Sequence, residues 1–193
     1  MKILKIILLM CALSVLGFVN VAHAKEMAGL EFKESASLAG ADKELKLNGL
    51  AVRYKFFFKI YVAALYVEQT SQNASVLIKH AGAKRMLMHF VYDEVPVEKL
   101  VSGWLDGFEE NTSAEEFKLL KPRIDKFNAM FETLHEGDVV LLDYLPGKGT
   151  RVTVKGVEKG SIEGEDFNQA LLKIWIGDEP VTEDLKEGLL GID

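Results

Sequence analysis

A cation set in an apolar run is the first residue of this chain whose chemistry asks for a partner. Arg53 opens the stretch VRYKFFFKIYVAALYVE, Val52 to Glu68, which holds three phenylalanines, three tyrosines, three valines and an isoleucine. A guanidinium stays charged and presents a planar fork of donors, so in a partly apolar setting it must meet a carboxylate, a carbonyl or a bound anion. Tyr61, eight residues on, adds a hydroxyl donor. Phe57 and Leu65 share its alternating face, and Trp104 and Phe108 belong to a later apolar stripe. Each residue also fits a plainer role. Arg53 can pair with an acid at a sheet edge, and Tyr61 and Tyr66 can be packing residues with satisfied hydroxyls.

Other chemistries find less support. His80, His89 and His135 stand at no metal-binding spacing, and the sequence gives no reason to expect a metal or another cofactor. His89, in a strand face, reads as a hydrogen-bonded core or cleft histidine. Pro146 to Thr150, PGKGT, resembles a phosphate loop, but its glycines open a strand where such a loop opens a helix. Ser102-Gly103 falls inside a helical pattern and makes no nucleophile elbow. The basic cluster Lys118, Lys121, Arg123 and Lys126 is interleaved with acids and reads as a solvated helix face.

The elements that must position Arg53 follow from periodicity. Val52 to Glu68 reads as central strand material, with Arg53, Tyr61, Ala63, Leu65 and Val67 on one face and Val62, Ala64 and Tyr66 on the other. Met27 to Lys33 suggests an edge strand, Ser35 to Asp42 a polar connection, and Asn48-Gly49 a turn ahead of Leu50. Ala74 to His80 reads as a short helix and Lys84 to Tyr92 as a strand. Two helical stripes follow. Val97, Leu100, Val101, Trp104, Leu105 and Phe108 come after Pro96, and Phe117, Leu120, Ile124, Phe127, Met130, Phe131 and Leu134 come after a Ser113/Glu116 capping box. Strands are expected over Val139 to Leu145, Thr150 to Lys155 and Val157 to Glu163, then helices over Glu165 to Ile176 and Thr182 to Leu190. Strands near both ends with helices laid across them give an α+β domain, a sheet covered on one face by a helical layer.

Geometry adds a condition. On one unbroken strand Arg53 and Tyr61 would sit roughly 27 Å apart, too far for one ligand head. A shared site therefore requires the chain to turn back between Tyr54 and Phe57, with both side chains directed beneath the helix from Pro96 to Glu110.

Lys2 and Lys5 precede an apolar segment, Ile6 to Val19, and Ala22-His23-Ala24 ends it in a small-x-small pattern. This predicts a signal peptide over residues 1–24, cleavage after Ala24, and a secreted protein with no membrane span in its mature form. Residues 25–193 would form a single domain without a cysteine, since Cys11 leaves with the leader. With Lys2 and Lys5 removed, 21 bases face 29 acids, a net charge of −8 that disfavours nucleic acid as a partner. No oligomeric state is specified.

Arg53 followed by Phe58 to Val67, FKIYVAALYV, resembles the chalcone isomerase superfamily, in which an arginine near a turn precedes a strand with a similar ending. The segment Gly160 to Val181, with Gly164, Phe167, Ala170-Leu171-Leu172 and Ile174-Trp175-Ile176-Gly177-Asp178, is similar to the C-terminal signature of bacterial exported chalcone-isomerase-like proteins. The resemblance runs from Leu47 to Leu190. It implies a large antiparallel sheet, a layer of helices and a ligand cleft between them. In the plant enzymes the arginine supports a substrate oxygen beside a threonine, a tyrosine and an asparagine; in fatty-acid-binding relatives an arginine and a tyrosine hold a carboxylate. Here Arg53 takes the arginine and Tyr61 the threonine, while Pro96 to Gly103 offers neither the tyrosine nor the asparagine. The resemblance implies a periplasmic, non-catalytic binding protein for an amphipathic carboxylic acid such as a fatty acid, its head held by Arg53 and Tyr61 and its apolar tail in a cleft lined by Phe57, Leu65, Trp104 and Phe108. The alternatives are an isomerase or intramolecular lyase, and an envelope structural or interaction protein with no small ligand.

Overall fold

The computed structural model describes residues 24–192; the expected signal peptide, with the apolar segment Ile6 to Val19 and Cys11, lies outside them but for Ala24. Its centre is an antiparallel sheet of seven strands: β3 (Ser35–Ala36), β4 (Leu45–Lys55), β5 (Phe58–Val67), β6 (Lys84–Phe90), β9 (Val139–Leu145), β10 (Gly149–Val154) and β11 (Val157–Ile162), in the order β11-β10-β9-β6-β5-β4-β3. Two small ribbons complete the strands, β1 (Ala24–Met27) with β2 (Leu30–Lys33), and β7 (Glu94–Val95) with β8 (Leu134–His135). The expected edge strand over Met27 to Lys33 is thus a hairpin, turning at Ala28-Gly29, where both residues hold positive φ.

The stretch from Val52 to Glu68 does not run on as one strand. It turns at Phe56-Phe57, and β4 and β5 pair so that Lys55 faces Phe58 and Arg53 faces Tyr61. From Tyr61 onward the expected alternation holds: Tyr61, Ala63, Leu65 and Val67 enter the core under the helices, while Val62, Ala64 and Tyr66 enter a second core on the opposite face. Asn48-Gly49 is no turn. It is a bulge within the continuous strand β4, where the register against β5 shifts between Leu47 and Gly49. The asparagine amide donates to the Leu189 carbonyl, and the missing side chain of Gly49 leaves room for the Gly188 carbonyl of the last helix.

Five helices, α1 (Ala74–Lys79), α2 (Val97–Asn111), α3 (Ala114–Asn128), α4 (Glu165–Ile176) and α5 (Glu183–Leu190), bury their apolar stripes on one face of the sheet. Ser113 caps α3 as expected, its hydroxyl accepting from the Glu116 amide. The helix ends at Asn128, short of Leu134, because the last apolar residue of that stripe reaches the core from β8. Trp104 and Phe108 of α2, Phe127 of α3 and Phe167 and Trp175 of α4 form a continuous aromatic core, with neighbouring ring centroids 5.5–6.3 Å apart. Gly107 lets α2 and α4 close on each other, since a Cβ there would stand 2.8 Å from Ile174 Cγ2. On the opposite face the β1–β2 hairpin and its connection cover part of the sheet, Phe32 and Leu38 joining Leu45, Val62 and Tyr66 of the sheet in one apolar cluster. The Tyr66 hydroxyl donates to the Lys33 carbonyl at 3.0 Å.

Candidate ligand-binding cleft

Between the sheet and α2 lies a cleft of about 440 Å³. Arg53, Ile60 and Tyr61 from the β4–β5 hairpin and Phe90 from β6 form its sheet side. Leu100, Gly103, Trp104 and Gly107 from α2 form the opposing wall, and Ile174 of α4 contributes a further apolar surface. The two glycines of α2 keep that wall low, and a Cβ built at Gly103 would meet no atom within 4 Å. Charged groups sit among the lining residues, Lys55 and Lys99 against Glu94, Asp106, Glu110 and Glu179. Four acids against three bases, Arg53 included, leave the lining slightly acidic, so a general attraction for anions is not what this cleft offers.

Arg53 is half-buried, and its guanidinium meets no carboxylate within ion-pair distance among the described residues. The contrast with the chain's other internal arginines is clear. On the far face of the sheet Arg85 grips both oxygens of Asp143, at 2.6 and 2.8 Å, and Arg151 adds a third contact at 3.1 Å. That trio is neutralised within the protein as far as one carboxylate allows. Arg85 and His89 border a separate cavity of about 580 Å³, on the side away from the helices. Burial pushes the His89 imidazole below its usual value. Among the described residues no histidine lines the cleft that holds Arg53.

Tyr61 is locked in place. Its ring packs on Phe90 with centroids 5.4 Å apart, and its oxygen accepts from Trp175 Nε1 at 3.1 Å. Accepting one hydrogen bond leaves the phenolic proton free to be donated. Burial raises the phenol above its ordinary value, outweighing the opposing pulls of the Trp175 hydrogen bond and the Arg53 charge. At neutral pH Tyr61 is a donor and not a base. Trp104 Nε1 is also buried and has no acceptor among the described residues.

Of the six residues that the sequence nominates, the cleft gathers Arg53, Tyr61 and Trp104. Phe57 is excluded because it occupies the tip of the hairpin, 93% exposed. Leu65 faces the helices as expected but lies four residues beyond Tyr61, where it is wholly buried. Phe108, one turn past Trp104, is consumed by packing on Phe127 and Phe167. Sequence reasoning missed Phe90, Leu100, Ile174 and the two α2 glycines. Phe90 carried a usable signal, since it shares the helix-facing side of β6 with Met86 and Met88.

No curated protein matches the chain. Among solved structures, the fold is similar to the fatty-acid binding protein AtFAP1 of Arabidopsis thaliana, with a TM-score of 0.70 and 15% identity over 87% of this chain and 96% of that one. The sequence model of chalcone isomerase-like proteins matches residues 24–191, which include every strand and helix described above. The curled antiparallel sheet and its helical cover are those of a known fold, and the chain belongs to the chalcone isomerase-like family.

Proposed function

We propose that this protein is an exported, non-catalytic binding protein for an amphipathic carboxylic acid such as a fatty acid. One observation carries the reading: an unpaired, half-buried guanidinium borders the cleft directly across the strand pair from a tyrosine whose proton is uncommitted. A carboxylate supplies what Arg53 lacks, accepting two parallel hydrogen bonds from the fork and a third from Tyr61. Ile60, Phe90, Leu100 and Ile174 offer the tail an apolar surface, in a volume within the range of ligand pockets, about 300–1,000 Å³. Because the lining is slightly acidic overall, affinity rests on this specific contact and on tail burial. The shared fold of a plant fatty-acid binding protein supports the reading. Turnover is less well supported, since the cleft offers a neutral phenol and exposed carboxylates but no histidine to move a proton.

Titration calorimetry with palmitate tests the proposal. A charge-assisted hydrogen bond contributes about 1.5–3 kcal/mol, so Arg53→Ala should weaken binding by roughly 10- to 150-fold. Arg53→Lys should restore little, having lost the planar fork. Equal affinities for the wild type and Arg53→Ala reject the carboxylate role.

A further inference from the structure

The tip of the β4–β5 hairpin exposes aromatic surface to an unusual degree. Tyr54, Phe56, Phe57 and Phe58 are 45%, 86%, 93% and 54% exposed. Lys55 and Lys59 alternate with them, and no acid occurs from Val52 to Val67 in a chain that carries 29 acids and 23 bases. Local preference opposes this choice of residues. Phe56 holds φ +55°, a conformation that suits glycine or asparagine and strains a bulky side chain. A two-residue turn made only to connect strands would be more stable with glycine there.

We propose that this tip is a docking device for a lipid surface bearing anionic headgroups. Aromatic rings partition to the boundary between headgroups and acyl chains, and flanking lysines reach back to the phosphates, their stems lying along the apolar layer. The local charge is the one an anionic bilayer requires, although the chain as a whole is acidic. Size argues against a protein partner as the occupant. Two nearly bare phenylalanines and two half-bare rings present on the order of 500 Å², less than the roughly 800 Å² that each side of a stable protein interface buries. A bilayer sets no such minimum.

The tip and the cleft are physically joined. Lys55, between Tyr54 and Phe56, and Ile60, two residues past Phe58, line the cleft, as does Tyr92, whose ring packs edge-on against Phe58 at 5.5 Å. Docking would therefore turn the cleft toward the lipid. The proposal does not depend on acid binding, and its test needs no ligand.

Sedimentation with vesicles of phosphatidylcholine and phosphatidylglycerol, against phosphatidylcholine alone, provides the test. The protein should bind the anionic vesicles more tightly, and binding should weaken as salt is raised. The double variant Phe56→Gly, Phe57→Ser relieves the turn's strain and so should fold, yet it should lose at least about tenfold in vesicle affinity. Lys59→Glu should remove the preference for the anionic vesicles. No binding to either vesicle overturns the proposal, as does binding that survives the double substitution. A monomer–dimer equilibrium abolished by the double substitution, without vesicle binding, would overturn it and assign the tip to a second copy of the chain.

Discussion

Arg53 and Tyr61, eight residues apart in sequence, face each other directly across the β4–β5 strand pair. Their neighbourhood explains why one is fixed and the other free. Tyr61 is held by Phe90 and Trp175 inside the core, whereas no carboxylate among the described residues holds Arg53. A rigid donor beside an unsatisfied cation is a preorganised anion site, because binding need only order one side chain.

Gly103 should separate binding from stability. It lies within α2, where glycine is less favourable than other helix residues by about 1 kcal/mol, and its missing side chain borders open space in the cleft. Gly103→Leu should raise the urea midpoint slightly and weaken palmitate binding at least several-fold. Unchanged affinity in a folded variant would place the ligand elsewhere.

Asp143 should matter for folding rather than binding. Its side chain is 3% exposed between Arg85 and Arg151, so Asp143→Ala leaves two cations without their counter-charge. Breaking such a group typically costs about 3–5 kcal/mol. Chemical denaturation that shows a loss below about 1 kcal/mol would mean the arginines reach solvent.

Lys84 gives a pH signature. It is buried, donates to the His80 carbonyl and stands 4.8 Å from the centre of the Tyr144 ring. Burial pulls its pKa from the usual 10.5 to about 8, against weaker opposing effects of Glu165 and Glu68. Between those values the unfolded chain holds a proton that the folded chain has released, so stability contributed at this site rises with pH. Relative to Lys84→Met, the wild type should gain on the order of 3 kcal/mol between pH 8 and 10.5, read from denaturation at each pH. A constant difference would show that Lys84 titrates normally.

The parts of this fold that were legible are those fixed by local pattern. Helix α4 begins and ends where its apolar period does, and the β9–β10–β11 meander is marked by Pro146-Gly147 and Gly156. The failures share a cause, which is that tertiary contacts decide what local chemistry leaves open. Asn48-Gly49 has turn chemistry but serves as a bulge, because α5 needs a glycine there to approach β4. Phe56-Phe57 has strand chemistry but makes the turn, and the need to bring Arg53 to Tyr61 revealed it where propensity did not. Phe57 was misplaced by continuing the alternation through that turn, and Leu65 and Phe108 by equating the correct face with the correct depth. Acid pairing was invisible for a related reason: Asp143 finds Arg85 and Arg151 only through the register of β6, β9 and β10.

The strained turn yields a prediction of its own. Phe56→Gly should leave the melting temperature unchanged or raise it, since the left-handed conformation costs a bulky residue roughly 1–2 kcal/mol and the side chain is 86% exposed. A clear fall in melting temperature would show that the ring packs in a way the exposure does not suggest.

The central claim is that Arg53 recognises a carboxylate, and comparing palmitate with its methyl ester tests it most directly. The two share a tail and differ in the charge of the head, so tail burial cancels from the comparison. The wild type should bind the acid at least about tenfold more tightly than the ester, and Arg53→Ala should bind the two alike. Equal affinities in the wild type, or a preference for the acid that survives in Arg53→Ala, would contradict the assignment of Arg53 as the carboxylate-holding residue.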